Sequence, residues 1–140
     1  MVVEDTIYER LIAIGIIGKD GLPNFDGNIK LKSDGYMDLN IDFLFSGIKG
    51  DYVIALAHNY LQNGDVMADP DMEIKVMPRF KMAEALTFRQ DGVLALNQRV
   101  YEVVDGKVMV KPRLKKELNS FLSGWLLNLK KQGFRNEVKK

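Results

Sequence analysis

The stretch that decides the fold is Tyr52–Val76, YVIALAHNYLQNGDVMADPDMEIKV. Its first eleven residues are apolar on both faces of an extended chain, which predicts a central strand covered on both sides for part of its length. Asn63-Gly64 is a strong turn signal. After an acidic loop, Met72, Ile74 and Val76 alternate with polar residues, which predicts a second, half-exposed strand that Pro78 ends.

On either side of this stretch the pattern indicates further strands. Met37 to Phe45 alternates apolar and polar residues, and Asn28 to Lys32 is a shorter candidate. Met82 to Gln90 fits either a strand or a short helix, and we favour the strand. Val93 to Val104 and Val108 to Lys111 form a predicted hairpin around Asp105-Gly106.

Helical periodicity occurs at both ends of the sequence. Thr6 to Glu9 has the form of a capping box, and apolar residues follow it at helical spacing until Gly15 or Gly18. Pro112 opens a long amphipathic helix that Gly133 closes. We therefore predict an α+β fold: an antiparallel sheet of five to six strands, with an N-terminal helix and a long C-terminal helix packed on it.

The length of 140 residues predicts one domain over 1–140, with a basic, frayed tail from about residue 134. The sequence has no cysteine, which excludes disulfides and thiolate metal sites and fits a reducing compartment. The N-terminal segment lacks the basic start of a signal peptide, and its apolar run is only seven residues long. We expect a cytoplasmic protein without a membrane segment.

The net charge of +1 conceals an asymmetry. Residues 1–106 carry 10 basic and 17 acidic side chains, whereas residues 107–140 carry 10 basic and 2 acidic ones. The basic segment can be a solvated helix beside an acidic body, or a surface that contacts a polyanion. For the second interpretation, the candidate nucleic-acid contacts are Lys115, Lys116, Lys130 and Lys131.

One cluster of residues could carry chemistry, and it surrounds the turn after the central strand. The candidates are His58, Asn63, Asp65, Asp69, Asp71 and Glu73. A divalent metal is possible through His58, Asp65, Asp69 and Asp71, although the spacing is not that of an EF-hand. The alternatives are a structural histidine and a plain connector whose aspartates accept backbone amide bonds.

The sequence carries none of the common catalytic signatures. It has no phosphate-binding glycine loop, no zinc-ligand spacing and no serine in a nucleophile motif. Whether the protein is an enzyme stays open, and we favour a non-catalytic function.

Several short motifs resemble those of a small uncharacterised domain family of bacterial, plasmid and phage-like proteins. They are Gly35-Tyr36-Met37, Ala57-His58-Asn59-Tyr60, Asn63-Gly64-Asp65 and Asp69-Pro70. Asn59 stands where an aromatic residue is expected. The resemblance implies an intracellular protein, encoded on a mobile element of a gut-type bacterium, and it implies no particular activity.

Three functional hypotheses follow. The first is an accessory or interaction domain that contacts a protein through the loop at the sheet edge and the basic C-terminal helix. The second is a small metal-binding protein or metal-dependent hydrolase that uses the His58 cluster. The third is a nucleic-acid contact through the basic helix. Apart from the possible divalent metal, no cofactor is expected, and the oligomeric state is left open.

Overall fold

The protein is described here by a computed structural model, which covers residues 2–92 and 95–137. Its elements follow the predicted order of helix, strands and helix, so the α+β prediction is confirmed. The two helices and nine strands of the described residues are α1 (Val3–Ile14), β1 (Asn28–Leu31), β2 (Leu39–Ser46), β3 (Tyr52–Gln62), β4 (Asp65–Met77), β5 (Met82–Ala85), β6 (Thr87–Gln90), β7 (Leu96–Arg99), β8 (Tyr101–Val104), β9 (Lys107–Val110) and α2 (Pro112–Lys131).

The strands form one large sheet and one separate hairpin. The large sheet has the order β1-β2-β3-β4-β6-β7, and β5 pairs with the C-terminal half of β4. Strands β8 and β9 pair with each other and make a two-stranded sheet of their own. All of the pairings between described strands are antiparallel.

One face of the large sheet is covered by the two helices. Helix α1 places Ile7, Leu11 and Ile14 in the core, at the i, i+4, i+7 spacing of one helical face. Helix α2 buries a longer stripe of the same kind, made of Leu118, Leu122, Trp125, Leu126 and Leu129. The sheet contributes Ile54, Leu56 and Ile74 to this core.

The opposite face of the sheet, here called the outer face, carries the alternate residues of the same strands. Val53, Ala55 and Ala57 of β3 are buried there but stay outside the core cluster. Ala55 is paired with Asp42 on one side and Glu73 on the other. Side chains of the neighbouring strands therefore flank Ala55 on this face.

The start of α1 differs from the prediction. The helix begins at Val3, and Thr6 lies inside it instead of capping it. The N-terminal cap is Val2, whose backbone N–H donates to Asp5 Oδ2 at 3.3 Å. Asp5 at the third helical position thus takes the role that the predicted capping box gave to Glu9, four residues earlier in the chain than expected. The helix ends at Gly15, as predicted.

The predicted acidic loop is wrong, because the chain turns in only two residues. Asn63 and Gly64 both have positive φ, and β4 begins at Asp65 directly opposite Gln62. The register shifts between Ala57 and Asn59, where β4 holds one extra residue. This β-bulge accommodates Pro70, which has no N–H to give to the ladder.

Strand β2 is shorter at its start than predicted and irregular at its end. It begins at Leu39 instead of Met37, and a bulge between Phe43 and Phe45 breaks the alternation. Phe45 is consequently exposed. The strand prediction for Met82 to Gln90 is confirmed, although this stretch forms two separate strands, β5 and β6.

The Asp105-Gly106 hairpin is also confirmed, with positive φ at both turn residues. The strand predicted from Val93 starts at Leu96 in the described residues, and Val93 itself lies outside them. Val100, which is fully buried, separates β7 from β8.

The prediction of a frayed tail fails for residues 134–136. Gly133 has positive φ and closes α2, and it redirects the chain so that Phe134 enters the core. The Asn136 side chain then donates to the carbonyls of Gly15 and Asn24. The rest of the predicted tail, from residue 138, lies outside the described residues. Neither described helix is long and apolar enough to span a membrane.

Candidate interaction site

His58 lies in the core and not in an open site. It projects from the helix-covered face of β3, and its ring lies 5.6 Å from that of Trp125 and 5.7 Å from that of Phe134. Its Nδ1 is 3.1 Å from the carbonyl oxygen of Asp38. The imidazole thus has aromatic neighbours and a backbone partner. This arrangement explains the position of His58 without a catalytic or metal-binding role.

Asp71 and Glu73 lie on the outer face, on the other side of the sheet from His58. Asp71 pairs with Ala57 across β3 and with Arg89 across β6. Burial raises the pKa of the Asp71 carboxyl; the Arg89 guanidinium lowers it and nearby Glu73 raises it. Together with Thr87 and Arg99, these side chains surround a shallow polar depression on the outer face.

The remaining candidates lie along the β3–β4 hairpin. Asn63 occupies the turn, Asp65 is exposed beside it, and Asp69 is half-buried in the bulge. The fold therefore brings Asp71 and Glu73 together but separates them from His58. Within residues 2–92 and 95–137, no group of three or more His, Asp and Glu side chains could hold a metal ion.

The four candidate lysines occupy the two ends of α2. Lys115 and Lys130 are separated by about 22 Å along the helix axis, at 1.5 Å per residue. Lys115 is bound to Glu84, with Nζ 3.3 Å from Oε2. Lys116, Lys130 and Lys131 are exposed. These lysines consequently do not form one continuous patch.

Several exposed apolar side chains lie on the β8–β9 hairpin, which no sequence motif singled out as a site. We call the β8–β9 hairpin, Tyr101–Val110, the arm. Val103 and Val108 face each other across it and are 73% and 71% exposed. Val110 is exposed on the same face as this pair, and Val104 and Met109 are exposed on the opposite face of the arm. Contiguous exposed apolar side chains of this kind mark interaction surfaces in folded proteins.

A cleft of about 470 Å³ lies between the arm and the outer face of the sheet. The arm contributes Tyr101 and Val108, and the sheet contributes Phe45 and Val53. The other lining residues are Gly47, Ile48, Asp51, Tyr52, Lys75, Glu84 and Leu86. The walls are thus mainly apolar, with a few charged groups among them, as in many binding sites.

A partly buried polar network fixes the base of the arm. The Tyr101 hydroxyl donates to both carboxylate oxygens of Glu84 at 3.1 Å, and Lys115 approaches the same carboxylate. Burial raises the pKa of Tyr101. The bond with Tyr101 raises the pKa of Lys115, and Glu84 adds to it. Because these residues come from the arm, β5 and α2, the network holds one wall of the cleft against the body.

Asp51 is the least satisfied side chain of the cleft. It is 2% exposed, and its Oδ2 accepts a bond from Arg79 Nη2 at 3.2 Å. No donor in the described part of the chain reaches its Oδ1, which is also buried. Polar atoms in such a position nearly always have a partner, either a protein group or an ordered water.

The fold and the cleft together define a class: a small α+β domain in which helices cover one face of an antiparallel sheet and an apolar cleft lies on the other. A family model described as a domain of unknown function, DUF6908, matches residues 8–135. The chain belongs to this family, which agrees with the resemblance to an uncharacterised domain family. No curated protein and no solved structure matches the chain.

Proposed function

We propose that this protein is a non-catalytic interaction domain that binds an extended segment of a partner protein in the cleft beside the arm. The observation that carries the proposal is the exposed apolar surface of the arm, continuous through Val108 with the apolar lining of the cleft. Burying such surface gives roughly 25 cal/mol per Å², which is the main driving force of protein association.

The backbone of the arm supports an extended occupant. Among the described strands, β8 and β9 pair only with each other, so each has an outer edge with free backbone groups. An extended peptide can add to such an edge through main-chain hydrogen bonds while alternate side chains enter a pocket. The cleft is the pocket next to this edge.

This proposal keeps the protein partner that the sequence suggested and moves the contact. The sequence hypothesis placed the contact on residues 63–73 and on α2. Most of residues 65–73 belong to a paired strand within the sheet, and the apolar face of α2 is in the core. The arm does not pair with the large sheet, and its exposed apolar side chains are not part of the core.

Two parts of the proposal concern the setting of the protein. We propose a cytoplasmic location, which the cysteine-free composition supports, since disulfides are typical of oxidising compartments. We also propose a bacterial, mobile-element origin, which rests on the motif resemblance alone. No observation in the described residues favours the metal-dependent or nucleic-acid hypothesis over the protein partner.

The proposal is tested by site-specific photo-crosslinking in the native host. A photoreactive amino acid replaces Val108 in the arm or, as a matched control, Leu61 in the β3–β4 hairpin. Leu61 and Val66 form an exposed cross-strand pair, at 74% and 67% exposure, much like Val103 and Val108. We expect Val108 to crosslink to one partner protein through a defined extended segment and Leu61 to give no such product.

Binding of the crosslinked partner, once purified, is then measured with paired variants. Val103→Ser with Val108→Ser should weaken binding at least tenfold, because two apolar side chains lose about 1.5 kcal/mol or more each of burial. Leu61→Ser with Val66→Ser should leave it unchanged. Loss of binding with the second pair alone, or crosslinks from Val108 only to a second copy of the chain, would contradict the proposal.

A further inference from the structure

We infer that the partner segment carries an acidic side chain, aspartate or glutamate, whose carboxylate pairs with the Lys75 ammonium in the cleft. The inference rests on the proposed function and adds the chemistry of the partner. It is carried by the charges of the lining: Lys75 lines the cleft, and its side chain has no hydrogen bond or ion pair within residues 2–92 and 95–137.

The two carboxylates of the lining are already compensated. Asp51 Oδ2 lies 3.2 Å from Arg79 Nη2, and the Asp51 side chain is so deeply buried that an occupant of the cleft does not reach it. Glu84 accepts from the Tyr101 hydroxyl with both oxygens, at 3.1 Å each, and its Oε2 lies 3.3 Å from Lys115 Nζ. Each carboxylate therefore has a cation of its own.

Lys75 consequently gives the cleft an excess of positive charge. The lining and the side chains bound to it hold three cations, Arg79, Lys115 and Lys75, against the two carboxylates of Asp51 and Glu84. Lys75 lies opposite Glu84 in the register of β4 and β5, yet Glu84 pairs with Lys115. Complementary charges favour association, so this excess favours an occupant with a negative group.

The two walls of the cleft suit an extended segment in which the acidic side chain stands between apolar ones. Lys75 is half-buried on the sheet side, opposite Val53 in the register of β3 and β4, whereas Val108 lies on the arm. Successive side chains of an extended chain point to opposite sides. Apolar side chains of the segment can therefore contact the arm while the acidic one reaches Lys75.

The same charges favour an acidic peptide over a nucleic acid. Among the described residues of the lining, Lys75 is the one cation without a bound carboxylate. One such cation matches one carboxylate, whereas binding of a nucleic-acid strand depends on several basic side chains at successive phosphates. The mainly apolar walls likewise suit a peptide with apolar side chains.

The test uses the full chain and three short peptides that differ at one position. Acetyl-Thr-Val-Xaa-Val-Thr-amide is prepared with glutamate, with its neutral isostere glutamine, or with lysine at the central position. Binding is followed by NMR of the side-chain methyl groups of Val53, Leu86 and Val108, which line the cleft.

We expect the glutamate peptide to shift these methyl signals and to bind about fivefold more tightly than the glutamine peptide. This factor is the upper end of the range for exposed ion pairs, and Lys75 is half-buried beside apolar walls. The lysine peptide should bind most weakly, because it brings a second cation to Lys75. Rising salt should reduce the preference for glutamate in the unmodified chain.

The variant Lys75→Met removes the charge and keeps an unbranched apolar side chain. It should abolish the preference for glutamate over glutamine. Lys107→Met is the matched control and should keep the preference, because Lys107 is exposed on the face of the arm opposite to Val108. The amide spectra of the free variants show whether each is folded. The peptide series on the unmodified chain decides the question if Lys75→Met does not fold.

Three results would overturn the inference: equal affinity for the glutamate and glutamine peptides, no shift of the cleft signals with the glutamate peptide at millimolar concentration, or an unchanged glutamate preference in folded Lys75→Met. Equal affinity at the cleft would leave the proposed function standing, because an apolar segment would still bind there. The proposed function fails separately, in the crosslinking experiment with Val108.

Discussion

At the scale of single residues, the side of the sheet decides what a polar side chain can do. His58 and Asp71 are separated by only thirteen positions in the sequence, but β3 and β4 place them on opposite faces. His58 packs between aromatic rings under the helices. Asp71 stays beside Arg89 on the outer face, where burial raises its pKa.

The raised pKa of Asp71 predicts how its replacement changes stability. The folded state holds the proton of this carboxyl more tightly than the unfolded chain, so ionisation of Asp71 destabilises the fold at neutral pH. Asp71→Asn should therefore increase the free energy of unfolding at pH 7. The gain should shrink as the pH falls through the folded pKa towards 3.8, where Asp71 becomes protonated in both states.

Urea unfolding from pH 3 to pH 7 checks this prediction. Asp65→Asn is the matched control, because Asp65 is an exposed aspartate of the same strand. A loss of stability at pH 7 in Asp71→Asn would mean that the attraction of Arg89 outweighs the effect of burial.

At the scale of elements, the segment after α2 packs against the sheet and against the end of α1. Phe134 is buried against His58, and the hydroxyl of Ser33 donates to the carbonyl of Gln132 at the end of α2. The Asn136 N–H donates to the Ile14 carbonyl at 2.8 Å, where α1 ends. This segment joins both helices to the sheet, although its composition suggests a tail.

Phe134→Ala should destabilise the fold by about 3–5 kcal/mol, the usual range when a buried aromatic side chain is removed. Arg135→Ala, at the exposed neighbouring position, should stay within about 0.5 kcal/mol. Both values come from chemical denaturation followed by tryptophan fluorescence, since Trp125 lies in the same core. A decrease in the free energy of unfolding below about 1 kcal/mol for Phe134→Ala would show that the segment does not stabilise the core.

At the scale of the whole molecule, tyrosine side chains connect separate parts of the fold. The Tyr52 hydroxyl donates to the Gly21 carbonyl at 2.6 Å, which ties β3 to the loop after α1. Gly21 has positive φ, and an added Cβ would meet the Tyr8 hydroxyl, so only glycine fits there. Tyr101 links the arm to β5 in the same way.

These phenols predict a loss of stability in alkali. Burial raises the pKa of Tyr8, Tyr52 and Tyr101, and the bond with Tyr101 raises that of Lys115. The folded state therefore binds protons more tightly than the unfolded chain above about pH 10, and stability falls as the pH rises. The contribution is fully present below pH 10, where all four groups are protonated in both states.

Thermal unfolding between pH 8 and pH 11 should show this decline. Tyr52→Phe should make it shallower, because Tyr52 has the most strongly raised pKa of the three phenols. Tyr36→Phe is the control at an exposed tyrosine and should keep the slope. A Tyr52→Phe slope equal to that of the unchanged protein would contradict the assignment.

Local patterns in the sequence determined the class of fold. Alternation and helical spacing placed the central strand, both helices and both tight turns, because these features depend on neighbouring residues. Charge and composition excluded disulfides and suggested an interaction domain. The sequence predicts a loop for the acidic stretch because Pro70 and four acidic side chains are typical of loops. The strand that pairs with it is β3, and local patterns do not reveal this pairing.

Only the tertiary structure decided which residues line the cleft. Asp51, Val53, Tyr101 and Val108 are far apart in sequence and carry no shared motif, so their meeting in one cleft follows from how the strands and the arm pack. The same packing put His58 under the helices and turned the tail into part of the core. Long-range packing is invisible to local periodicity, because it depends on contacts between residues that are distant along the chain.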